Sequence, residues 1–471
     1  MKYFSFAHQI TVYWLYDQYV ENGEYTFYLD DKECGKSNKT HFTFDGLDAD
    51  KEYEISVYNH GVLFDKRKIK TQKEKEIINV MELDPSIDNE GETLVTKKIQ
   101  AVLDKANKDN VIYFPKGEYL CGALFVKSNT EIYLEEDANI KGSIDPSDYL
   151  PMIASRFEGI ELDCYASLIN IGKMNHEDGY TTSNVIIRGK GSIIGGGREL
   201  CENIIAKELP LRGDRLNAGR RRNRLINISN SENIIIEGLY LGYSSSWNIH
   251  MIYSSNVITT NCKIESKHYH NGDGWDPDSS SNCTLFNCEF DVGDDLVAIK
   301  SGKNPEGNIV NIPCHDINVF DCHSTHSHGI AVGSEMSGGI YNVFVYDCDL
   351  TNSMLGLHIK ATRKRGGYVR NVVFNNCKAP LICVEGNVTY NDDGEGANMP
   401  YFKDFKFINS TLSGISQDCL DNIKIKPHIS IIGYQEDESK VSNIELRNIT
   451  LLENNNDQKI VVEHCQNVIR S

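Results

Sequence analysis

The strongest constraint on the fold is a short phrase that recurs between residues 184 and 443. In each copy an asparagine is followed by two or three apolar or β-branched residues and then by a polar one. The close neighbours lie from 23 residues (Asn233 to Asn256) to 36 residues apart (Asn282 to Asn318), and the gaps that follow Asn184 and Asn371 are longer. Each unit contains short strands rather than a 3.6-residue period, so the repeat predicts a solenoid of parallel β-coils with Asn or Cys ladders stacked inside. The phrase opens at Asn184, Asn233, Asn256, Asn282, Asn318, Asn342, Asn371 and Asn443.

The residues before the repeat predict a smaller β-domain, a linker and a cap. Residues 1–73 contain runs such as "ITVYW" and "EYEISVY", with Trp14 on an early strand, and resemble a fibronectin type III domain, which is a small β-sandwich. The charge-rich residues 74–92 predict a linker, and 93–471 the parallel β-helix. That domain opens with a capping helix in which apolar residues recur at helical spacing. They are Leu94, Ile99, Val102, Leu103 and Ala106.

Charge and hydropathy limit the classes of partner. The formal net charge of −19 argues against nucleic acid, because phosphate binding depends on a basic surface. No apolar run reaches the ~18–20 residues that span a bilayer, so no membrane partner is expected. The N-terminal "MKYFSFAHQITVYWLYDQY" has no small-residue cleavage site, which predicts a cytoplasmic protein.

Many of the fourteen cysteines stand in one recurring context, in "TNCKI", "FNCEF", "FDCHS", "YDCDL" and "NNCKA". A cysteine at a repeated interior position acts as a small buried hydrophobe. The sequence has no paired CxxC spacing, so neither a disulfide framework nor a zinc site is predicted. We expect no metal and no cofactor.

A solenoid converts sequence spacing into geometry, because equivalent positions of successive coils stack on one surface. Acids, histidines and a lysine fall in the same stretch of four consecutive coils, which predicts a polar cleft across them. Counted from the asparagine that opens each coil, they are Asp273 (17 residues), Asp294 (12), His328 (10), His358 (16) and Lys360 (18).

Asp294 and Asp295 stand side by side before a strand-like run. Two adjacent carboxylates either hold a cation or share a task in which one of them stays protonated. Taken alone, Asp273 is equally compatible with a turn, and Lys360 with the protein surface. Their common register across the coils is the informative feature.

Four blocks, "NGDG", "GDD", "SHG" and "HIK", occur in this order and resemble the signature blocks of the glycoside hydrolase family 28 polygalacturonases, usually NTDG, GDD, GHG and RIK. The similarity extends from residue 99 to about residue 460. "DPDSSSNCTLFNCEFDVGDDLVAIKSGK" and "RGGYVRN" look closest to exo-acting bacterial members, some of which carry an N-terminal fibronectin-like domain. The resemblance implies an all-β, right-handed parallel β-helix of bacterial origin. It also implies an inverting hydrolase that releases terminal galacturonic acid, or a related α-linked sugar, from pectin-derived oligosaccharides.

The resemblance assigns a role to each matching position. Asp294 would be the general acid that protonates the leaving oxygen. Asp273 and Asp295 would position and deprotonate the attacking water. His328 would tune the protonation of the acid, and Lys360 would bind the substrate carboxylate. Inversion indeed needs an acid and a base on opposite sides of the bond, with room for water.

The chain departs from the usual blocks at three positions. Gly272 and Ser327 are mild changes, whereas His358 replaces an arginine. Arginine grips a carboxylate with a rigid fork, and histidine offers at most one such donor and is often neutral. The enzyme therefore either recognises a different terminal sugar or takes the missing charge from another residue.

Several basic residues are candidates for that charge, and one aromatic residue is a candidate for sugar stacking. Arg222 falls where exo-acting members tend to keep an arginine, and Lys300 ends the strand that follows the acid pair. Arg365 follows the "HIK" block, and Trp275 beside Asp273 either stacks on a sugar ring or packs in the core. Four further basic residues are candidates for the missing charge, and each is equally compatible with a solvated basic run. They are Arg220, Arg221, Arg363 and Lys364.

Two other functional classes use the same architecture. Pectate lyases are also parallel β-helices, but they need bound calcium and a basic proton abstractor. A glycan-binding solenoid needs no catalytic residues, and the stacked carboxylates disfavour it. The sequence predicts no particular oligomeric state.

Overall fold

The computed structural model describes residues 1–176, 179–267, 270–390, 394, 396, 398–418 and 422–471. The chain divides into two units, Met1–Ile77 and Ile78–Ser471. The predicted linker, 74–92, is not a linker throughout, since it contains strand β8 (Glu76–Asn79) and helix α1 (Val80–Leu83). Val80 and Ile87 of this segment are buried in the core of the second unit. The charge-rich composition of the segment did not indicate that they are core residues.

The first unit is a sandwich of two antiparallel sheets around one core. Trp14 lies at its centre, edge-on to Tyr25 with ring centroids 4.5 Å apart. The three-stranded sheet has the order β1-β2-β5 and the four-stranded sheet the order β4-β3-β6-β7. This confirms the predicted small β-sandwich, while the fibronectin type III resemblance stays a prediction. The strands are β1 (Lys2–Ser5), β2 (Gln9–Tyr13), β3 (Tyr25–Leu29), β4 (Lys32–Ser37), β5 (His41–Asp45), β6 (Glu52–Asn59) and β7 (Val62–Lys70).

The second unit is a right-handed parallel β-helix, as predicted, with three long parallel sheets. The 13-stranded sheet contains β8, β9 (Asn110–Phe114), β12 (Thr130–Leu134), β17 (Thr182–Gly189), β20 (Ser231–Glu237), β23 (Ser255–Thr260), β26 (Thr284–Phe286), β29 (Cys314–Phe320), β32 (Ile340–Tyr346), β34 (Tyr368–Asn375), β37 (Tyr401–Ile408), β42 (Val441–Arg447) and β45 (Gln466–Arg470).

The 11-stranded sheet carries the functional residues discussed below. It contains β11 (Leu124–Val126), β16 (Ile169–Gly172), β19 (Ile226–Ser229), β22 (Ile249–Ile252), β25 (Trp275–Asp278), β28 (Asp295–Ile299), β31 (Gly329–Val332), β33 (Leu357–Lys360), β36 (Ile382–Glu385), β41 (Ile429–Ile432) and β44 (Ile460–Glu463). The 7-stranded sheet contains β10 (Gly117–Cys121), β13 (Ala138–Gly142), β18 (Ser192–Ile194), β21 (Tyr240–Gly242), β24 (Lys263–Ser266), β27 (Glu289–Val292) and β30 (His323–His326).

Short elements complete the β-helix. A three-stranded sheet is formed by β35 (Lys378–Ala379), β38 (Thr411–Leu412) and β43 (Thr450–Leu451). Two hairpins are β14 (Ile153–Phe157) with β15 (Ile160–Cys164), and β39 (Ile415–Gln417) with β40 (Ile423–Ile425). The remaining α-helices are α2 (Thr96–Leu103), α3 (Gly197–Arg212), α4 (Arg215–Gly219) and α5 (Glu306–Val310). In the described part of the chain, no helix has the length and apolar character needed to cross a membrane.

Helix α2 is the predicted cap. It packs next to β11, the edge strand of the 11-stranded sheet, and buries Ile99, Val102 and Leu103 in the common core. Leu94 precedes the helix and is 46% exposed, so its expected place on the apolar face is wrong. Helices α3 and α4 were not predicted, because α3 contains Pro210 and is only weakly amphipathic.

The asparagine repeat forms a ladder at a turn and not inside the solenoid as expected. Asn233 and Asn256 have φ of 58° and 53°, in the left-handed region that asparagine tolerates better than most residues. The side-chain amide of Asn256 donates to Asn233 at 2.6 Å, and that of Asn233 donates to Asn184 at 3.2 Å, on the exposed side of the turn. The ladder therefore stabilises the turn that opens each coil.

One coil opens at a different residue from the one that the sequence predicts. Asp316 has φ of 56° and accepts a hydrogen bond from Asn342 at 2.8 Å, whereas Asn318 is a buried residue of β29. Counted from Asp316, His328 is 12 residues along, the same distance as Asp294 from Asn282. The corrected register therefore places His328 beside Asp294 in the stack.

The cysteines behave as small buried hydrophobes. Cys262, Cys288, Cys322, Cys348 and Cys377 stand in the recurring context, and all are nearly inaccessible to solvent. Every cysteine in the described ranges is a free thiol. These five therefore stack inside the β-helix, which confirms the interior position that the repeat predicted.

Candidate active site

Four neighbouring strands of the 11-stranded sheet build one pocket of about 440 Å³. Asp273 precedes β25, Asp295 opens β28, His328 precedes β31, and Lys360 ends β33. These side chains line the pocket together with Asp294. The residues predicted from their register across the coils are thus brought together, because parallel in-register strands stack equivalent positions.

Asp294 is held by three donors. Its Oδ1 lies 3.0 Å from Nδ1 of His328 and accepts the Asp295 backbone N–H at 3.0 Å. Its Oδ2 accepts the Asn271 backbone N–H at 3.2 Å. Burial by itself raises the pKa of Asp294, but the hydrogen bond and charge of His328, with the charge of Lys360, outweigh it and hold the pKa well below the usual range. Asp294 is therefore ionised in the unliganded protein.

Asp273 has the opposite electrostatics. Burial raises its pKa well above the ordinary value, against the charge of Lys300 and with help from the neighbouring acids Asp276, Asp294 and Asp295. Within the described residues its Oδ1 has no hydrogen-bond partner. The pKa values of two carboxyl groups of one pocket are therefore shifted in opposite directions, upwards for Asp273 and downwards for Asp294.

Lys300 is an internal counter-ion. Its Nζ lies 3.3 Å from Oδ2 of Asp273, 3.5 Å from Oδ1 of Asp276, and 3.4 Å from the ring centroid of Trp247. Burial raises the pKa of the fully buried Asp276 to about 7, against the charge of Lys300. Lys300 was predicted to bind substrate, and it does line the pocket, but its ammonium already neutralises two carboxylates.

The two polar residues of the "HIK" block, His358 and Lys360, each have an acidic partner. Nζ of Lys360 lies 3.3 Å from Oδ2 of Asp295, and Nε2 of His358 lies 3.1 Å from Oε2 of Glu385. Burial lowers the pKa of His358 in spite of Glu385, so its imidazole is neutral near pH 7. Both His358 and Lys360 line the pocket, as predicted.

Arg222 positions protein groups and does not line this pocket. Its Nε donates to the Gly219 carbonyl at 2.7 Å, its Nη1 to the Ser245 carbonyl at 3.3 Å, and its Nη2 to Oδ1 of Asn271 at 2.8 Å. Asn271 in turn holds Asp294. Arg222 lines an adjoining cavity of about 560 Å³ that shares Asn271 with the pocket.

Arg365 lines the pocket but is only 2% exposed. Its Nε donates to the Ser334 carbonyl at 2.9 Å, and its Nη1 donates to Oδ1 of Asn304 at 2.9 Å. These bonds fix the loop around Ser334 against the loop around Asn304. The geometry favours a role in shaping the pocket wall over that of a cation offered to a sugar.

The prediction that Trp275 stacks on a sugar is wrong. Its side chain is 0% exposed, and its Nε1 donates to Oγ1 of Thr259 at 3.1 Å inside the β-helix. Side chains alternate along β25, so Trp275 points into the core and Asp276 points to the outer face. The sequence placed Trp275 next to Asp273 without fixing this alternation.

Because Trp275 is a core residue, we expect Trp275→Ala to lower the free energy of unfolding by about 3–5 kcal/mol. The loss reflects buried apolar area and the cavity left behind. Urea denaturation followed by circular dichroism measures it, and Trp275→Phe, which keeps a ring, should lose less. Unchanged stability with loss of sugar affinity would instead support the stacking role.

Several residues of the pocket were not predicted. Asn271 opens the "NGDG" block, but the others come from coils and loops outside the four blocks, and the sequence carries no signal that brings them together. Tyr390 is 48% exposed, with its ring centroid 5.8 Å from Nζ of Lys360. The others are Glu158, Leu216, Trp247, His270, Asn271, Lys303, Gly333, Ser334, Glu335, Met354 and Leu355.

Asp294, Asp295 and His328 also have the spacing of a cation site. One potential ligand atom from each lies within 4.8 Å of the others. In this arrangement, however, His328 bonds Asp294 and Lys360 pairs with Asp295. Protein cations thus already balance the two carboxylates, which favours acid–base chemistry over metal binding at this position.

The sequence matches the family model of the glycosyl hydrolases family 28 over residues 165–416. It is 33% identical over 302 residues to a probable polygalacturonase of Vitis vinifera, covering 60% of this chain and 57% of that protein. It is 25% identical over 367 residues to an exo-poly-alpha-D-galacturonosidase of Dickeya chrysanthemi, covering 70% of this chain and 61% of that protein. The chain thus spans about three fifths of the length of these two relatives.

Solved structures share the fold. The family 28 exopolygalacturonase of Yersinia enterocolitica superposes with a TM-score of 0.82 at 21% identity, over 98% of this chain and 97% of that one. A hyperthermoactive exopolygalacturonase of Thermotoga maritima superposes with a TM-score of 0.65 at 27% identity, over 81% of this chain and 90% of that one. Since the family model covers more than half of the chain and the four signature blocks meet in one pocket, this protein belongs to family 28 of the glycosyl hydrolases.

Proposed function

We propose that this protein is an inverting, exo-acting glycoside hydrolase that releases terminal galacturonic acid, or a closely related α-linked sugar, from pectin-derived oligosaccharides. The observation that carries the proposal is the meeting of Asp294 and Asp295 in a single pocket, with Nδ1 of His328 3.0 Å from Asp294 and Nζ of Lys360 3.3 Å from Asp295. An inverting hydrolase needs a proton donor and a carboxylate base on the two sides of the scissile bond. The relative of Dickeya chrysanthemi, an exo-poly-alpha-D-galacturonosidase, supports the substrate class.

Asp294 is the general acid in this proposal. It is ionised in the free protein, and the 3.0 Å contact with Nδ1 of His328 supplies the proton that Asp294 passes to the leaving oxygen. The Asp294–His328 pair thus carries one transferable proton. Asn271, anchored by Arg222, keeps the carboxylate in place during the transfer.

Asp273 and Asp295 handle the attacking water. Asp295, paired with Lys360 at 3.3 Å, is the carboxylate that accepts the proton of the water. Asp273, whose Oδ2 lies 3.3 Å from Nζ of Lys300, lines the same pocket and helps to orient the water. The lysines keep the combined charge of the three acids low enough for an anionic sugar to enter.

Product analysis of oligogalacturonides tests this function. We expect chromatography to show monomers released from the first minutes, and proton NMR to show the β-anomer as the first product, because inversion of an α-linkage yields it. A mixture of internal fragments would contradict exo action. A product with a new ultraviolet absorbance would identify a lyase, and binding without any product would identify a glycan-binding solenoid.

A further inference from the structure

His358, which lines the pocket together with Lys360, is bound to a carboxylate on the neighbouring strand. His358 on β33 and Glu385 on β36 are joined by a contact of 3.1 Å between Nε2 and Oε2. The two strands pair in parallel with Lys360 directly opposite Glu385, so the carboxylate stands on the same outer face as the lysine. The side chain of Glu385 is 33% exposed, and solvent or a ligand therefore reaches it.

The charges of this wall differ from those expected of a carboxylate-binding site. Burial lowers the pKa of His358, which leaves the imidazole neutral. The hydrogen bond from His358 lowers the pKa of Glu385, which is therefore ionised. Lys360 is engaged by Asp295 at 3.3 Å on the catalytic side. A ligand next to His358 thus meets the ionised Glu385. The neutral His358 adds no positive charge to that of Lys360.

We propose that the His358–Glu385 pair selects a neutral sugar, one with hydroxyl groups and no carboxylate, as a unit adjoining the scissile bond. This inference rests on the hydrolase function proposed above and specifies its substrates as oligosaccharides that join galacturonate to a neutral sugar. A hydroxyl group donates directly to Glu385. A uronate carboxylate would face Glu385 at close range and would have to displace it from His358.

The surroundings of the pair fit this selection. Tyr390 exposes its ring next to Lys360 and offers a flat face to the C–H groups of a pyranose. The adjoining cavity, which shares Asn271 with the pocket, is lined by Arg198, Arg215 and Arg222 and by the two acids Glu158 and Glu202, of which Glu202 pairs with Arg215 at 2.8 Å. Three arginines against two glutamates leave this cavity more positive than the surroundings of His358 and Glu385, and the acidic sugar is assigned to it.

Three disaccharides test the inference. They are α-1,4-digalacturonate and the two mixed isomers in which galactose replaces one of the galacturonate units. We expect the wild-type enzyme to hydrolyse one mixed isomer with a kcat/KM at least tenfold higher than that for digalacturonate. The double variant His358→Arg/Glu385→Gln should move this ratio at least tenfold towards digalacturonate, because it restores a cation and removes the anion. Glu436→Gln, at a surface glutamate paired with Arg363, is the matched control and should leave the ratio unchanged.

The inference is overturned if the wild type prefers digalacturonate or does not discriminate. It is equally overturned if the double variant keeps the wild-type thermal midpoint and the wild-type ratio. If the double variant does not fold, Glu385→Gln alone should shift the ratio in the same direction, and an unchanged ratio then rejects the proposal. If no disaccharide is hydrolysed, the hydrolase function itself fails, and calorimetric binding of the three disaccharides decides the sugar preference independently.

Discussion

Replacement of Asp294 by asparagine is expected to lower kcat on oligogalacturonides by about 10²–10⁴-fold, the usual contribution of a general acid. The amide has the shape of the carboxyl group but only one oxygen, so it keeps one of the two hydrogen bonds that the Asn271 and Asp295 backbone N–H groups donate to different oxygens of Asp294. It cannot take the proton of His328 and deliver it to the leaving oxygen. Substrate affinity should change little, because Asp294 acts on the scissile bond.

Single-turnover kinetics and isothermal titration calorimetry separate these two effects. The matched control is Asp404→Asn, since Asp404 occupies a rung of the asparagine ladder where other coils already have asparagine. This control should keep both activity and affinity. Wild-type turnover in Asp294→Asn would reject the assignment of the acid, whatever the control does.

The second large effect is expected at Lys300. Lys300→Met leaves Asp273 and Asp276 buried without their counter-ion, which should lower the free energy of unfolding by about 3–5 kcal/mol at pH 7. The loss depends on pH in a defined direction. The pKa values of both acids are raised on folding, that of Asp276 to about 7, so neither group is charged in the native or the unfolded state well below pH 4. The stability cost should therefore be small at acid pH and grow as the pH rises from about 4 through 7.

Denaturant titrations at several pH values measure how the loss of unfolding free energy in Lys300→Met depends on pH. Lys378→Met is the control, because Lys378 is an exposed lysine whose nearest acid, Asp349, is 4.0 Å away. It should show the wild-type dependence on pH. A pH-independent loss in Lys300→Met would mean that Lys300 acts through packing on Trp247 and not as a counter-ion.

Some parts of the site could be read from sequence because a repeat fixes them. Asp273 and Asp295 lie at equivalent places of successive coils, as do Asp294 and His328, and hydrogen bonding between paired strands leaves little freedom in how those places stack. The sequence predicted that one coil opens at Asn318, whereas it opens at Asp316. These positions are only two residues apart, so His328 was still assigned to the site.

Other parts were beyond sequence reasoning because they depend on side-chain direction and on contacts between distant loops. Trp275 and Asp276 are neighbours in the chain, but the alternation along β25 sends one into the core and the other towards Lys300. Tyr390 reaches Lys360 from a loop that follows β36, and no local pattern marks it.

The sequence by itself determined the parallel β-helix, the family and the five groups that meet at the pocket, because each follows from periodic spacing or from motif residues. The tertiary structure alone decided how charge is distributed among them. The raised pKa of Asp273, the lowered pKa of Asp294 and the neutrality of His358 result from burial and from partners such as Lys300, His328 and Glu385. Desolvation and Coulomb interactions act through space, and the distances that set them exist only after the coils have stacked.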